Sequence, residues 1–143
     1  MPSVPSITLN NGVAIPQLGF GTFQIPPDET CETTVAALET GYRHIDTAQM
    51  YGNEKEVGQA VRESGLDRAD VFVTSKLNNG AHAPAEALRA FDRSLEELGF
   101  DYLDLFLIHW PLLHRRHSAL RTCLTRKRSQ GGRPGRSRPC HRG

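Results

Sequence analysis

Three polar residues close three apolar runs at nearly even intervals: Asp46 ends YRHID (42–46), Lys76 lies near the end of DVFVTSKL (70–77), and His109 near the end of YLDLFLIHW (102–110). The spacings of 30 and 33 residues leave room for one helix between each pair of strands. Strands joined by crossovers of that length pair in parallel, since an antiparallel pair needs only a short turn. A parallel sheet must then be covered by its helices. The chain is therefore an α/β protein built from repeated βα units.

The segments between the strands read as helices. ETCETTVAALETG (29–41) stops at Gly41. NEKEVGQAVRESG (53–65) has Asn53 placed to cap it, Glu56 three residues on and Gly65 at its end. APAEALRAFDRSLEELG (83–99) carries Ala87, Leu88, Phe91, Leu95 and Leu98 on one face, with Pro84 near its start and Gly99 past its end. Upstream, ITLNNGVAIPQ (7–17) places Asn10-Asn11-Gly12 between two apolar runs, a strong hairpin signal. LGFGTF (18–23) reads as a short strand or tight turn. Its Gly19-Phe20-Gly21 is not a dinucleotide fingerprint, because the third glycine and the following helix are missing.

Charge divides the chain in two. Residues 1–111 hold 7 Lys/Arg against 16 Asp/Glu, whereas residues 112–143 hold 10 Lys/Arg and no acid. The second segment has no apolar periodicity and is punctuated by Gly and Pro from Gly131 onward, so it is expected to be disordered. No apolar run is long enough to span a membrane, and MPSVPSITLNN lacks the pattern of a secretory signal. Cys31, Cys123 and Cys140 are odd in number and far apart, which suits a reducing, cytoplasmic setting. His109, His114 and His117 do not make a metal-ligand pattern, and no metal is expected.

In parallel α/β folds, polar side chains that follow strand C-termini face the ligand crevice. Asp46, Lys76 and His109 stand there, and Tyr51 lies in the loop beyond Asp46. An aspartate and a lysine on neighbouring strand ends can pair, and a lysine beside a tyrosine favours the phenolate over the phenol. Such a tyrosine can act as a general acid toward an oxygen that becomes negative as hydride reaches its carbon. Taken singly, each residue has a plainer reading. Asp46 is a cap, Tyr51 a packing residue, Lys76 an ion-pair partner, His109 a hydrogen-bonded strand end.

The stretch GYRHIDTAQMYGNEKEVG (41–58) resembles the first signature of the aldo-keto reductases. The resemblance continues through LGFGTF, FVTSKL and LDLFLIHWP over residues 6–111, and is strongest toward bacterial 2,5-diketo-gluconate and related small-carbonyl reductases. It implies the N-terminal half of a (β/α)8 barrel with a hairpin at its base. It also implies NADPH-dependent reduction of aldehydes and ketones. By position, Tyr51 would be the proton donor, Lys76 the cation beside it, Asp46 the anchor of Lys76, and His109 the residue that orients the carbonyl. Gly21 and Thr22, with Asp46, would lie beside the nicotinamide, and Phe23 and Trp110 would line the substrate pocket with Tyr51 and His109. Asn78-Asn79 departs from the family pattern, where many members carry a tryptophan.

A complete barrel of this kind takes about 250 residues. The resemblance stops after His109-Trp110-Pro111, so four strands and the family's phosphate-binding cluster are not expected here, and the chain alone is expected to turn over weakly or not at all. The Arg-, Gly- and Pro-rich composition of 112–143 is what an out-of-frame reading of a GC-rich gene yields. The alternative function is a non-catalytic half-barrel whose basic tail binds nucleic acid non-specifically through phosphate contacts.

Overall fold

The computed structural model describes residues 4–111. The segment 112–143, and with it the expectations of a disordered tail and of nucleic-acid binding, lies outside the described residues. Two short strands, β1 (Ser6–Thr8) and β2 (Ala14–Pro16), pair antiparallel with Ile7 opposite Ile15. Gly12 takes the left-handed φ of +85° that the turn requires. The hairpin read from Asn10-Asn11-Gly12 is present.

Four parallel strands follow in the order β3 (Phe20–Gly21), β4 (His44–Asp46), β5 (Phe72–Leu77) and β6 (Leu105–Ile108). Helices α1 (Pro27–Glu39), α2 (Glu54–Glu63) and α3 (Pro84–Leu98) connect them. Among the described residues the sheet stays open, with β3 and β6 as its edges. Helix α1 begins two residues before the expected stretch because Pro27 occupies its first turn, where a missing N–H costs nothing. β4 is shorter than YRHID because Gly41 and Tyr42 N–H groups and the Arg43 guanidinium are spent on the carbonyls that end α1.

The core lies between sheet and helices. Leu38, Ile45, Val57, Val61, Val71, Val73 and Leu98 form one buried cluster, with Phe20, Leu66, Phe100 and Leu103 against it. Two expectations need correction. Asn53 precedes α2 but makes no side-chain cap bond, because its amide turns inward to a buried network described below. On α3 the residues that pack most tightly are Ala90, Ser94 and Leu98. Leu88 is 69% exposed, and Ala87 and Phe91 line an open trough of about 420 Å³ with β6. Helix α3 comes so close to α2 at Leu98 that a Cβ at Gly58 would fall 1.9 Å from Leu98 O.

Arg68 braces the N-terminal ends of β5 and β6. Its guanidinium donates to Val71 O at 2.6 Å, Tyr102 O at 3.1 Å and Asp104 Oδ2 at 2.8 Å. Phe100 and Tyr102 rings stack on it at 4.6 and 4.2 Å. Asp104 Oδ2 also accepts the Val73 N–H at 2.9 Å. Removing the cation would strand a half-buried carboxylate and a carbonyl together. Arg68→Ala is expected to lower stability by about 2–4 kcal/mol in chemical denaturation, and Arg68→Lys to recover little, since a lysine cannot fork to three acceptors in one plane.

His44 lies on the sheet face opposite the core helices, its Nε2 3.0 Å from Thr74 Oγ1. A Cβ at Gly19 would fall 2.7 Å from His44 Nδ1, so this floor is already full. Burial holds the His44 imidazole below its ordinary pKa of 6.5, against the opposing pull of a Pro16 backbone bond. The unfolded chain therefore takes up a proton first as pH falls, and stability is lost below about pH 6.5. Denaturant midpoints at pH 7 and pH 5 should show a larger drop for the parent than for His44→Gln. Glu54, whose carboxyl burial raises, works in the opposite sense in both proteins and leaves that difference intact.

Candidate active site

Register sets the site at the C-terminal ends of the strands. Gly21 pairs with Asp46, Asp46 with Thr74, and Lys76 with Leu107. Lys76 is two residues past Thr74 and so points to the same face as Asp46, one pleat farther on. Its ammonium reaches back to Asp46 Oδ1 at 2.5 Å, to Thr47 O at 3.0 Å and to the Tyr51 hydroxyl at 3.3 Å. Three donors meet three acceptors, so none of the cation's hydrogens is wasted. The Lys76 side chain is 15% exposed and Asp46 36% exposed.

Tyr51 ends a 3-10 turn (Gln49–Tyr51) that Thr47 and Ala48 join to Asp46, and Gly52 reverses the chain with a φ of +69°. Its ring is held edge to face by His109, centroids 5.5 Å apart, and lies tilted against Phe23 at 5.1 Å. Lys76 Nζ lies 5.1 Å from the same ring centre. His109 continues β6 through its N–H bond to Leu77 O at 3.2 Å, and Trp110 stacks on it at 6.3 Å. Burial first, and then the nearby Lys76 cation, push the His109 pKa down, with Asp46 opposing. The imidazole is thus neutral near pH 7 and offers a single N–H. Its Nδ1 is buried with no hydrogen-bond partner among the described residues.

The residues expected to act together are therefore brought together: Asp46, Tyr51, Lys76 and His109 meet in one cleft. Phe23 and Trp110 stand at its rim, 63% and 55% exposed. Gly21 lies beside Asp46, and a Cβ there would meet nothing within 4 Å, so the strand end opens onto free space. Thr22 is different. Its side chain is fully buried, and its hydroxyl bonds inward to Asn53 Oδ1 at 3.4 Å and Asp46 O at 3.5 Å. Thr22 shapes the loop from inside.

Sequence reasoning missed the buried support. Asn53 donates through Nδ2 to Thr22 O, Ile25 O and Thr30 Oγ1 at 3.0 to 3.2 Å, and accepts at Oδ1 from Thr47 at 3.2 Å. One amide thus ties the Phe23 loop to the turn that carries Tyr51. Glu54, 6% exposed, accepts from Ser75 Oγ at 2.6 Å, and burial raises its pKa despite that bond. A signal for Glu54 existed: it falls on the stripe Glu54, Val57, Gly58, Val61, which is the buried face of α2. Among the described residues no group of three His, Cys, Asp or Glu could hold a metal ion, and no helix is long and apolar enough to cross a membrane.

A family profile described as the aldo/keto reductase family matches residues 17–131. A D/L-glyceraldehyde reductase of Hypocrea jecorina is 50% identical over 117 residues, which cover 78% of this chain and 35% of that protein. The crystal structure of an aldo/keto reductase from Brucella melitensis superposes with a TM-score of 0.77 at 52% identity, covering 79% of this chain and 43% of that one. The Bombyx mori aldo-keto reductase solved in complex with NADP gives a TM-score of 0.76 at 40% identity, covering 81% and 41%. The chain thus spans well under half the length of these relatives. The profile match over most of the chain and the superposition on solved members agree on one conclusion: this chain belongs to the aldo/keto reductase family.

Proposed function

We propose that this chain carries the proton-donating half of an NADPH-dependent carbonyl reductase that converts small aldehydes and ketones to alcohols, with Tyr51 as the proton donor. The observation that carries the reading is the Lys76 ammonium, anchored on Asp46 and bonded to the Tyr51 hydroxyl. A phenol beside a fixed cation can lose its proton without leaving an isolated negative charge. His109, neutral and packed against the Tyr51 ring, can steer the carbonyl oxygen toward that phenol.

The residues present suit the reactive end of the cofactor. Gly21 leaves room beside Asp46 for a flat ring, and Thr22 shapes the loop next to it. NADPH, when bound, supplies the hydride. As negative charge grows on the substrate oxygen, Tyr51 gives it the phenolic proton and the Lys76 cation steadies the phenolate that remains. Asp46 holds the lysine in place. Phe23 and Trp110 shield one side of the cleft with apolar surface.

The test follows NADPH oxidation in the presence of a reactive small aldehyde, with an aldehyde-free blank. Because the chain matches only 35% of the glyceraldehyde reductase it resembles, slow turnover is expected from the 143-residue chain. Aldehyde-dependent oxidation that survives loss of the Tyr51 hydroxyl would sink the reading.

A further inference from the structure

Tyr51 sits at the end of a single 3-10 turn whose backbone offers little grip. Its N–H bonds Ala48 O at 2.9 Å, and the Gly52 N–H reaches Gln49 O at 3.4 Å. The contact on which proton donation depends, Lys76 Nζ to the Tyr51 hydroxyl, is already long at 3.3 Å. A hydrogen bond stretched much beyond that ceases to be one. Whatever holds this turn against β5 therefore decides whether phenol and ammonium meet.

Gln49 supplies three bonds from one half-buried side chain. Nε2 donates to Ala90 O at 2.5 Å and to Ser94 Oγ at 2.9 Å, and Oε1 accepts the Asn78 N–H at 2.9 Å. Ala90 and Ser94 are fully buried on α3, so that end is fixed to a rigid element. Polarity matters at both ends: a reversed amide would set its oxygen against the Ala90 carbonyl. Asn78 stands two residues past Lys76, and Gln49 two residues before Tyr51. Their bond is a second tie across the gap that Lys76 and Tyr51 span.

We propose that Gln49 is a positioning residue, which fixes the turn against α3 and against the loop leaving β5 and so sets the reach of Lys76 to the Tyr51 hydroxyl. The inference rests on the reading of Tyr51 as proton donor. It is distinct from a packing role, because its effect passes through the state of the phenol.

The test uses the full chain with Gln49→Met, which is uncharged, similar in length and unable to make the three bonds. Gln49→Ala serves as a second variant should the methionine pack badly. Gln49→Met is also made in the Tyr51→Phe background. The expected result is that aldehyde turnover falls in kcat by roughly tenfold or more in the Gln49 variants, with KM and the thermal midpoint nearly constant, the pattern of a misplaced catalytic group. Added to Tyr51→Phe, Gln49→Met should change kcat by less than about twofold, because its effect passes through the placing of the phenol. A Gln49 variant that keeps the parental kcat, or a full further tenfold loss in the double variant, overturns the inference. Should Tyr51→Phe keep its turnover, the proton-donor reading fails separately, and the single Gln49 variants still decide what Gln49 does.

Discussion

Replacing Tyr51 with phenylalanine is expected to lower aldehyde-dependent NADPH oxidation by about a hundredfold to ten-thousandfold, the range attached to a positioned general acid. That corresponds to roughly 3–5 kcal/mol of barrier. The substitution removes one oxygen and leaves the ring, so the contacts of Tyr51 with Phe23 and His109 persist. KM should therefore change little while kcat collapses. The loss should not come from unfolding. The oxygen's contact with Lys76 is 3.3 Å, and the ammonium keeps Asp46 and Thr47 O as partners. Steady-state rates and a thermal melt on the same preparations check both halves of the expectation. A variant with more than a tenth of the parental kcat would require another proton source.

Gly58→Ala is the second large effect, and its sign runs against helix propensity. Alanine in place of a mid-helix glycine ordinarily stabilises by about 1 kcal/mol. Here a Cβ would fall 1.9 Å from Leu98 O and 2.6 Å from Leu98 C. Those are backbone atoms, which cannot swing aside as a side chain would. Helices α2 and α3 must separate, pulling Val57, Val61 and Leu98 out of the shared core and disturbing the Arg62 bond to Leu98 O at 2.8 Å. Overpacking of this severity costs on the order of 3 kcal/mol or more, well beyond the propensity gain. A clear fall in the urea midpoint is expected. An unchanged or raised midpoint would mean that the two helices cross farther apart than described.

The strands and the meeting of Asp46, Tyr51, Lys76 and His109 were legible for one reason: both depend on short-range pattern. Apolar runs ending in Asp46, Lys76 and His109 at even spacing imply parallel βα units, and parallel βα units put such residues at one rim. Tyr51 followed because it lies close behind Asp46 in the chain. What stayed hidden depends on partners distant in sequence. Asn53 occupies a capping position, and nothing local reveals that its amide is needed by Thr22 and Ile25, which precede it by 31 and 28 residues. On α3 hydropathy favours Leu88 and Phe91, whereas the completely buried residues are Ala90, Ser94 and Leu98, and Phe91 meets the sheet through Phe106 at 5.2 Å. Nothing local marks Gln49 either. Its value lies in three partners spread over 41 and 45 residues along α3 and 29 residues to Asn78.

The Arg68 brace clamps the strands where they begin, while the ammonium–phenol pair lies where they finish. None of the groups that the brace engages is one that the proposed reaction employs. Robustness and selectivity are consequently separable traits in this scaffold. Drift at the reactive mouth can retune what is accepted while the clamp preserves the architecture, and substitutions at the clamp can be tolerated or lost without rewriting the chemistry.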